Sequence, residues 1–198
     1  IKAYNKIIYI DPFKVSNPEP ADYVLITHPH YDHCSMEDLK KICNENTVAV
    51  TVADCISKIG NLRIKDVKIV GPEGSVDFGI FHVEAIRAYN KNSEFHLKQN
   101  NWVGFIVTID GKTMYFAGDT DLTDEIMNLR NRPQKIEAMF MPVGGTYTMN
   151  AEEAADAVNI LKPRIAVPMH YGSIVGNVED AERFRQRAAA EIHIMEKE

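Results

Sequence analysis

The sequence predicts a layered α/β domain, with two sheets facing one another and helices outside, on three observations. Apolar β-branched runs alternate with amphipathic stretches from end to end, each half of the chain runs strands into helices, and no linker or low-complexity tract interrupts the 198 residues. At that length, with 45% hydrophobic residues, a single domain spanning 1–198 has enough apolar side chain for one substantial core. The order of the strands does not follow from this pattern.

The elements follow in turn. "KIIYIDP" (6–12) and "DYVLITH" (22–28) read as short, buried strands that each stop at a residue with a polar job. "SMEDLKKICNE" (35–45) opens with Ser35 as an N-cap and Asp38 three residues on, and places Met36, Leu39, Lys40 and Cys43 on one side of a helix. "TVAVTV" (47–52) is a strand, and "VADCISKIG" (52–60) a short helix closed by Gly60. Residues 67–88 read as a β-rich meander punctuated by "GPEG" and Gly79, in which "FHVEAI" (81–86) alternates like a half-buried strand. "YNKNSEFHLKQNN" (89–101) is polar and aperiodic, a loop long enough to line a site. Strands "WVGFIVTI" (102–109) and "KTMYFAGD" (112–119) are joined by the turn Asp110-Gly111. A helix near 124–130, strand "EAMFMPVGG" (137–145), helix "NAEEAADAVNIL" (150–161) capped by Asn150, strand "RIAVPMH" (164–170), helix "EDAERFRQRAAA" (179–190) and strand "EIHIM" (191–195) complete the chain.

The formal net charge is −6, so no general field draws this surface to phosphates, and a small-molecule substrate is expected rather than nucleic acid. No apolar run reaches the roughly 18–20 residues of a membrane span, and no charged-then-apolar leader is present, so a cytoplasmic protein is expected. Cys34, Cys43 and Cys55 are odd in number and form no CxxC, which fits reduced thiols rather than a disulfide framework or a cysteine zinc knuckle. A homo-oligomer is compatible with the sequence.

"THPHYDHCS" (27–35) concentrates three of the chain's seven histidines and an aspartate within six positions. His28, His30, Asp32 and His33 follow one buried strand. Asp119 in "FAGDTD" follows a second, "PVGGTYTMN" a third, and His170 in "AVPMHYG" a fourth. Polar residues at strand ends are where α/β architectures place their sites, so these features converge on one edge. An isolated histidine is more often a hydrogen-bonded surface or core group, but this density points to divalent metal, for which imidazole and carboxylate are preferred ligands. His28 and His30 can point to one side of an extended loop while Asp32 and His33 point to a second position, and Asp119 can bridge two ions through its two oxygens. Thr27 and Thr120 flank ligands and can orient them by hydrogen bonds. Gly144 and Gly145 let backbone come close to metal or substrate, and Asn90, Thr146, Tyr147 and Tyr171 are candidate substrate contacts. Cys34 reads as a small buried residue at a helix start, and His193 as an exposed alternating one.

His28-Pro29-His30-Tyr31-Asp32-His33 matches the HxHxDH signature and so resembles the metallo-β-lactamase superfamily. "YFAGDTDL" (115–122) resembles that superfamily's bridging-aspartate motif and "AVPMHYG" (166–172) its final histidine motif. "IDPF" (10–13) resembles the branch of metal-dependent hydrolases related to L-ascorbate-6-phosphate lactonase and N-acyl phosphatidylethanolamine phospholipase D. The resemblance covers nearly the whole chain and implies a four-layer αβ/βα sandwich that hydrolyses a small-molecule ester, lactone or phosphodiester. It implies two divalent ions per chain, zinc being expected and manganese or iron also suited: His28, His30 and a third histidine on the first, Asp32, His33 and His170 on the second, and Asp119 between them. His82 and His96 are the candidates for the third histidine. His82 sits mid-strand, paired by alternation with Glu84, whereas His96 lies in the loop where the family places this ligand, so His96 is expected. Asp32 and Asp119 would orient the attacking water and accept its proton. The rival readings are a non-catalytic metal- or ligand-binding module of the same fold, a phosphodiesterase acting on nucleotides, and a two-iron oxidoreductase, against which His30 stands where such sites favour glutamate.

Overall fold

The computed structural model describes residues 1–195 and contains two β-sheets. The first is built from β1 (Lys2–Ala3), β2 (Lys6–Ile10), β3 (Tyr23–Ile26), β4 (Val48–Thr51) and β5 (Asp66–Ile69), adjacent in chain order. β1 and β2 form a hairpin, while β2 to β5 run parallel. Helix α1 (Met36–Ile42) makes the crossover from β3 to β4, and α2 (Ile56–Ile59) that from β4 to β5. Val24, Leu25 and Val50 have no exposed surface, as expected of parallel strands covered on both faces.

The second sheet contains β6 (Ser75–Asp77), β7 (His82–Arg87), β8 (Val103–Ile109), β9 (Lys112–Phe116), β10 (Ile136–Pro142), β11 (Ile165–Met169) and β12 (Glu191–Ile192). Its first four strands pair antiparallel as a meander, and β9 to β12 continue in parallel. Parallel pairing requires crossovers, here made by α3 (Asp124–Asn128), α4 (Ala151–Leu161) and α5 (Val178–Arg187).

Two apolar clusters hold these layers together. One joins Leu25 and Val50 of the first sheet to Phe105 and Val107 of the second, and includes Leu39 and Ile42 of α1. The other packs Met139 and Met141 of β10 against Ala154 and Val158 of α4 and Phe184 of α5. Burying each large aliphatic or aromatic side chain contributes about 1.5–3 kcal/mol. The result is the four-layer αβ/βα sandwich. No helix among the described residues is long and apolar enough to cross a membrane.

Several expected boundaries and faces shift. The buried face of α1 is Asp38, Leu39 and Ile42, with Lys40 exposed, because Asp38 turns inward to hold backbone N–H groups of the loop after β2. The segment 52–60 begins as a 3₁₀ turn (Ala53–Cys55) before one turn of α-helix. Helix α5 stops at Arg187, short of the alanines, and the closing strand keeps only two residues.

Candidate metal centre

The polar residues singled out above leave the C-terminal ends of strands from both sheets. His28, His30, Asp32 and His33 follow β3; His96 lies in the loop between β7 and β8; Asp119 follows β9; and His170 follows β11. Gly118, at φ +64°, allows the close approach: a Cβ there would stand 3.2 Å from the Thr27 side chain. The exit of β9 therefore lies against the exit of β3 and delivers Asp119 to the histidines. His96 (φ 53°) and His170 (φ 57°) both sit in the left-handed region, a conformation that concentrates at functional positions.

Two groups of potential ligand atoms form, each with its members within 4.8 Å of one another: His28, His30, His96 and Asp119, and Asp32, His33 and His170. In the first, His28 Nε2 and His96 Nε2 each lie 3.1 Å from His30 Nδ1. Imidazole nitrogens sharing one zinc ion, each about 2.0–2.1 Å from it, stand about 3–3.4 Å apart. In the second, Asp32 Oδ2 lies 3.5 Å from His33 Nε2 and 3.4 Å from His170 Nε2. Asp119 reaches both groups, with Oδ2 3.2 Å from His96 Nε2 and 3.3 Å from His170 Nε2, and Oδ1 3.2 Å from His33 Nε2. His33 Nε2, Asp119 Oδ1 and both ring nitrogens of His170 are buried without a directed hydrogen bond among the described residues. Leaving such atoms unsatisfied costs about 1–3 kcal/mol each, a cost that a coordinated cation removes. The donor set therefore fits divalent metal.

Asp11, which lies in the IDPF stretch but is not among the candidate ligands or substrate contacts named above, organises this cluster. Its Oδ2 accepts from His33 Nδ1 at 2.8 Å and from Thr27 Oγ1 at 2.7 Å, and its Oδ1 accepts from Thr27 N at 2.8 Å. With its own proton committed to Asp11, Thr27 Oγ1 can only accept from His28 Nδ1, 2.9 Å away. In the neutral rings one carboxylate thus selects the tautomers of His28 and His33 that leave Nε2 to bind metal, the outer-shell arrangement that metal-binding histidines use. Trp102 stacks on His28 at 5.0 Å and donates Nε1 to Asp54. Asn90 is buried beside His96 Nδ1, 3.3 Å away, and donates to the Tyr147 carbonyl, so it stands behind the histidine rather than in an open cavity.

The other expected residues divide. His82 stays on β7, opposite Asp77 and Thr108, outside both groups. Thr120 ties the backbone of Tyr89 and Asp121 instead of the Asp119 carboxylate. Gly144 is required for close approach, since a Cβ would lie 2.5 Å from the His170 carbonyl oxygen. Tyr147 and Tyr171 line cavities, whereas Thr146 is exposed and lines neither of them. Cys34 is buried, and His193 is an exposed residue paired with Glu191.

Burial, reinforced by the charge of His33, holds the pKa of His28 well below the ordinary range, and burial with His96 lowers His30, so both imidazoles stay neutral as ligands require. Burial opposes charge on His33 as well, but Asp119 and Asp11 overcome it and raise its pKa well above normal. His170 is likewise pushed up to about 9 against burial by Asp119 and Asp32. Burial also opposes charge on the two carboxylates; His170 and His33 outweigh it at Asp32, and His33 does so at Asp119, holding both far below the carboxylate range. The second group therefore concentrates negative potential that either protons or a divalent cation can satisfy.

Two cavities meet this cluster. One of about 180 Å³ is floored by His30, His96, Asp119, Asp32 and His170, and so touches both ligand groups. The other, about 590 Å³, runs from Asp11, Asp32 and His33 between the sheets past Ile8 and Phe140 to Ile1, and reaches only the second group.

The chain belongs to the β-lactamase superfamily, whose domain profile matches residues 1–170. A UPF0173 metal-dependent hydrolase of Pyrococcus abyssi is 36% identical over 196 residues, covering 92% of this chain and 84% of that protein. Among solved structures, a Parabacteroides distasonis protein proposed as a metal-dependent hydrolase is 27% identical with TM-score 0.81, over 98% of this chain and 87% of that one. Igni18, a metallo hydrolase of the archaeon Ignicoccus hospitalis, shares the fold at 22% identity and TM-score 0.78, over 98% of this chain and 89% of that one. The chain is accordingly a metal-dependent hydrolase of this superfamily.

Proposed function

We propose that this hydrolase is dinuclear and cleaves an ester, lactone or phosphodiester bond in a small molecule. His28, His30 and His96 would hold one ion, Asp32, His33 and His170 the other, and Asp119 would bridge, with zinc as the expected metal and manganese or iron also suited to the donor set. The observation that supports this is the adjacency of two complete ligand groups with Asp119 within 3.3 Å of histidines in both.

When bound, such ions lower the pKa of water from about 15.7 to about 7 and polarise the attacked oxygen. The chain's own residues supply the rest. Asp32 lines the smaller cavity and can accept a hydrogen bond from the attacking water. Asp11 keeps His28 and His33 in the tautomers that leave Nε2 free.

The test is metal content per chain after purification without chelator, paired with hydrolysis of a lactone and of bis-(p-nitrophenyl) phosphate with and without added Zn²⁺ and Mn²⁺. Two ions per chain and metal-dependent cleavage are expected. Asp119→Ala should lose metal and turnover while remaining folded; a fully metallated, active variant would remove Asp119 from the site. Stable binding of metal with no turnover of any substrate would favour the binding-module reading.

A further inference from the structure

The loops that carry the ligands also carry an apolar rim. Tyr31 lies between His30 and Asp32, Phe95 immediately precedes His96, Ile174 follows His170 by four positions, and Tyr147 sits in the loop after β10. All four line the 180 Å³ cavity over the ligands. Only eight large hydrophobic residues are exposed among those described, and three of them stand here: Tyr31 (61%), Phe95 (51%) and Ile174 (41%). Scattered exposed hydrophobics need no explanation, but a cluster drawn from separate loops around one cavity marks a binding surface. The rings are braced, Phe95 edge-on to Tyr147 at 4.9 Å and Tyr31 edge-on to Phe13 at 6.0 Å.

Charge is missing from this rim. No lysine or arginine among the described residues lines the cavity. Lys58 is bonded to the Pro29 carbonyl, and Lys14 to Ser173 Oγ and the face of Phe13. Ions on the floor could hold an anionic scissile group. A second phosphate or carboxylate further out on the substrate would meet no lysine or arginine at this rim, whereas an apolar arm would cover the exposed faces of Tyr31, Phe95 and Ile174.

We infer that the substrate is a small ester whose arm next to the scissile bond is uncharged and aromatic or branched aliphatic, seated between Phe95, Tyr147, Tyr31 and Ile174. This rests on the hydrolase reading above. For an ester, the water oxygen bonds to the acyl carbon and the acyl carbon–oxygen bond breaks. The alkoxide leaves with one of the water protons as the alcohol, and the acid product releases the other as its carboxylate forms. Phe95 and Tyr147 take no part in those bond changes and determine which acyl arm is accepted.

A matched pair of esters tests this on the metal-loaded protein: methyl phenylpropanoate, and monomethyl succinate, which carries a carboxylate where the first carries a phenyl ring. Calorimetry with the corresponding inert ketones, benzylacetone and levulinate, reads binding without turnover. The expected result is at least about tenfold higher kcat/KM for the phenyl ester and tighter binding of benzylacetone than of levulinate. Phe95→Ala should weaken benzylacetone binding by about tenfold at unchanged metal content, with its loss falling on KM more than on kcat. Equal or better cleavage of monomethyl succinate, or benzylacetone binding indifferent to Phe95→Ala, overturns the inference. If Phe95→Ala instead dissolves an oligomer seen by light scattering and leaves the ketone affinities alone, the rim is a protein interface and the inference also falls. If metal is bound but neither ester is cleaved, ester hydrolysis falls while the ketone comparison still decides the rim.

Discussion

Asp11 shows how much one side chain can settle. It accepts three hydrogen bonds, two from Thr27 and one from His33, and through Thr27 it also sets the ring of His28. Asp11→Asn keeps the shape and suits the left-handed backbone there (φ 45°), which asparagine tolerates. It exchanges an acceptor for a donor facing His33 or Thr27. Metal affinity at the second group should fall about 10–100-fold, the usual cost of losing an outer-shell partner, and the metal-free protein should lose Tm as well, because the buried His33–Asp11 pair is broken. Competition against a chromophoric chelator measures this, and unchanged affinity would strip Asp11 of its positioning role. The histidines were legible because HxHxDH packs them into six positions, whereas Asp11 meets partners 16 and 22 residues away. Its sequence signals were an aspartate ending a buried strand and its place in the IDPF stretch, neither of which names its partners. His96 could be separated from His82 by its place in a polar loop, and Asn90 lay in the same loop, but a string of letters does not show that Asn90 stands behind His96 rather than facing a cavity.

Among the elements, α1 couples the site to the fold. Asp38 accepts from Lys14 N, Val15 N and Ser35 Oγ, so the helix start fastens the loop that follows Asp11. Burial opposes the charge on Asp38, but the hydrogen bonds from Ser35, Val15 and Lys14 outweigh it and hold its pKa below the ordinary carboxylate range. A group depressed in the folded state contributes stability above its unfolded pKa, about 3.9, and that contribution is lost as pH falls through the lower folded value. Asp38→Ala should therefore cost about 1–3 kcal/mol near pH 7, with the gap to the parent narrowing below about pH 4. Urea unfolding at both pH values reads it, and a gap of constant size would deny the carboxylate its part. Helix periodicity located α1 and Ser35 capped it as expected, but an apolar template put Lys40 on the inner face, because it gives no weight to a buried aspartate that serves a neighbouring loop.

Across the whole molecule, the layers were readable from alternating strands and helices, while the strand order was not. The neighbours of β9 are β8, reached by a tight turn, and β10, reached through α3, and only packing selects that arrangement. The same long-range packing gives the site its mechanical consequence. Each ligand group draws on both sheets: His28 and His30 meet His96 and Asp119, and Asp32 and His33 meet His170. An ion in either group would tie the exit of β3 to loops of the second sheet, so it binds the folded arrangement and has no counterpart in the unfolded chain. At a hundredfold excess over its Kd, one metal adds about 2.7 kcal/mol, and a chain of this size gains about 2–4 °C per kcal/mol, so chelation should lower Tm by roughly 5–11 °C. Asp11→Asn, with its second group weakened, should show a smaller drop than the parent at the same limiting metal concentration. A Tm identical with and without chelator, on protein shown to be metal-loaded, would mean that the two sheets dock without help from the ions and that the histidine cluster carries chemistry alone.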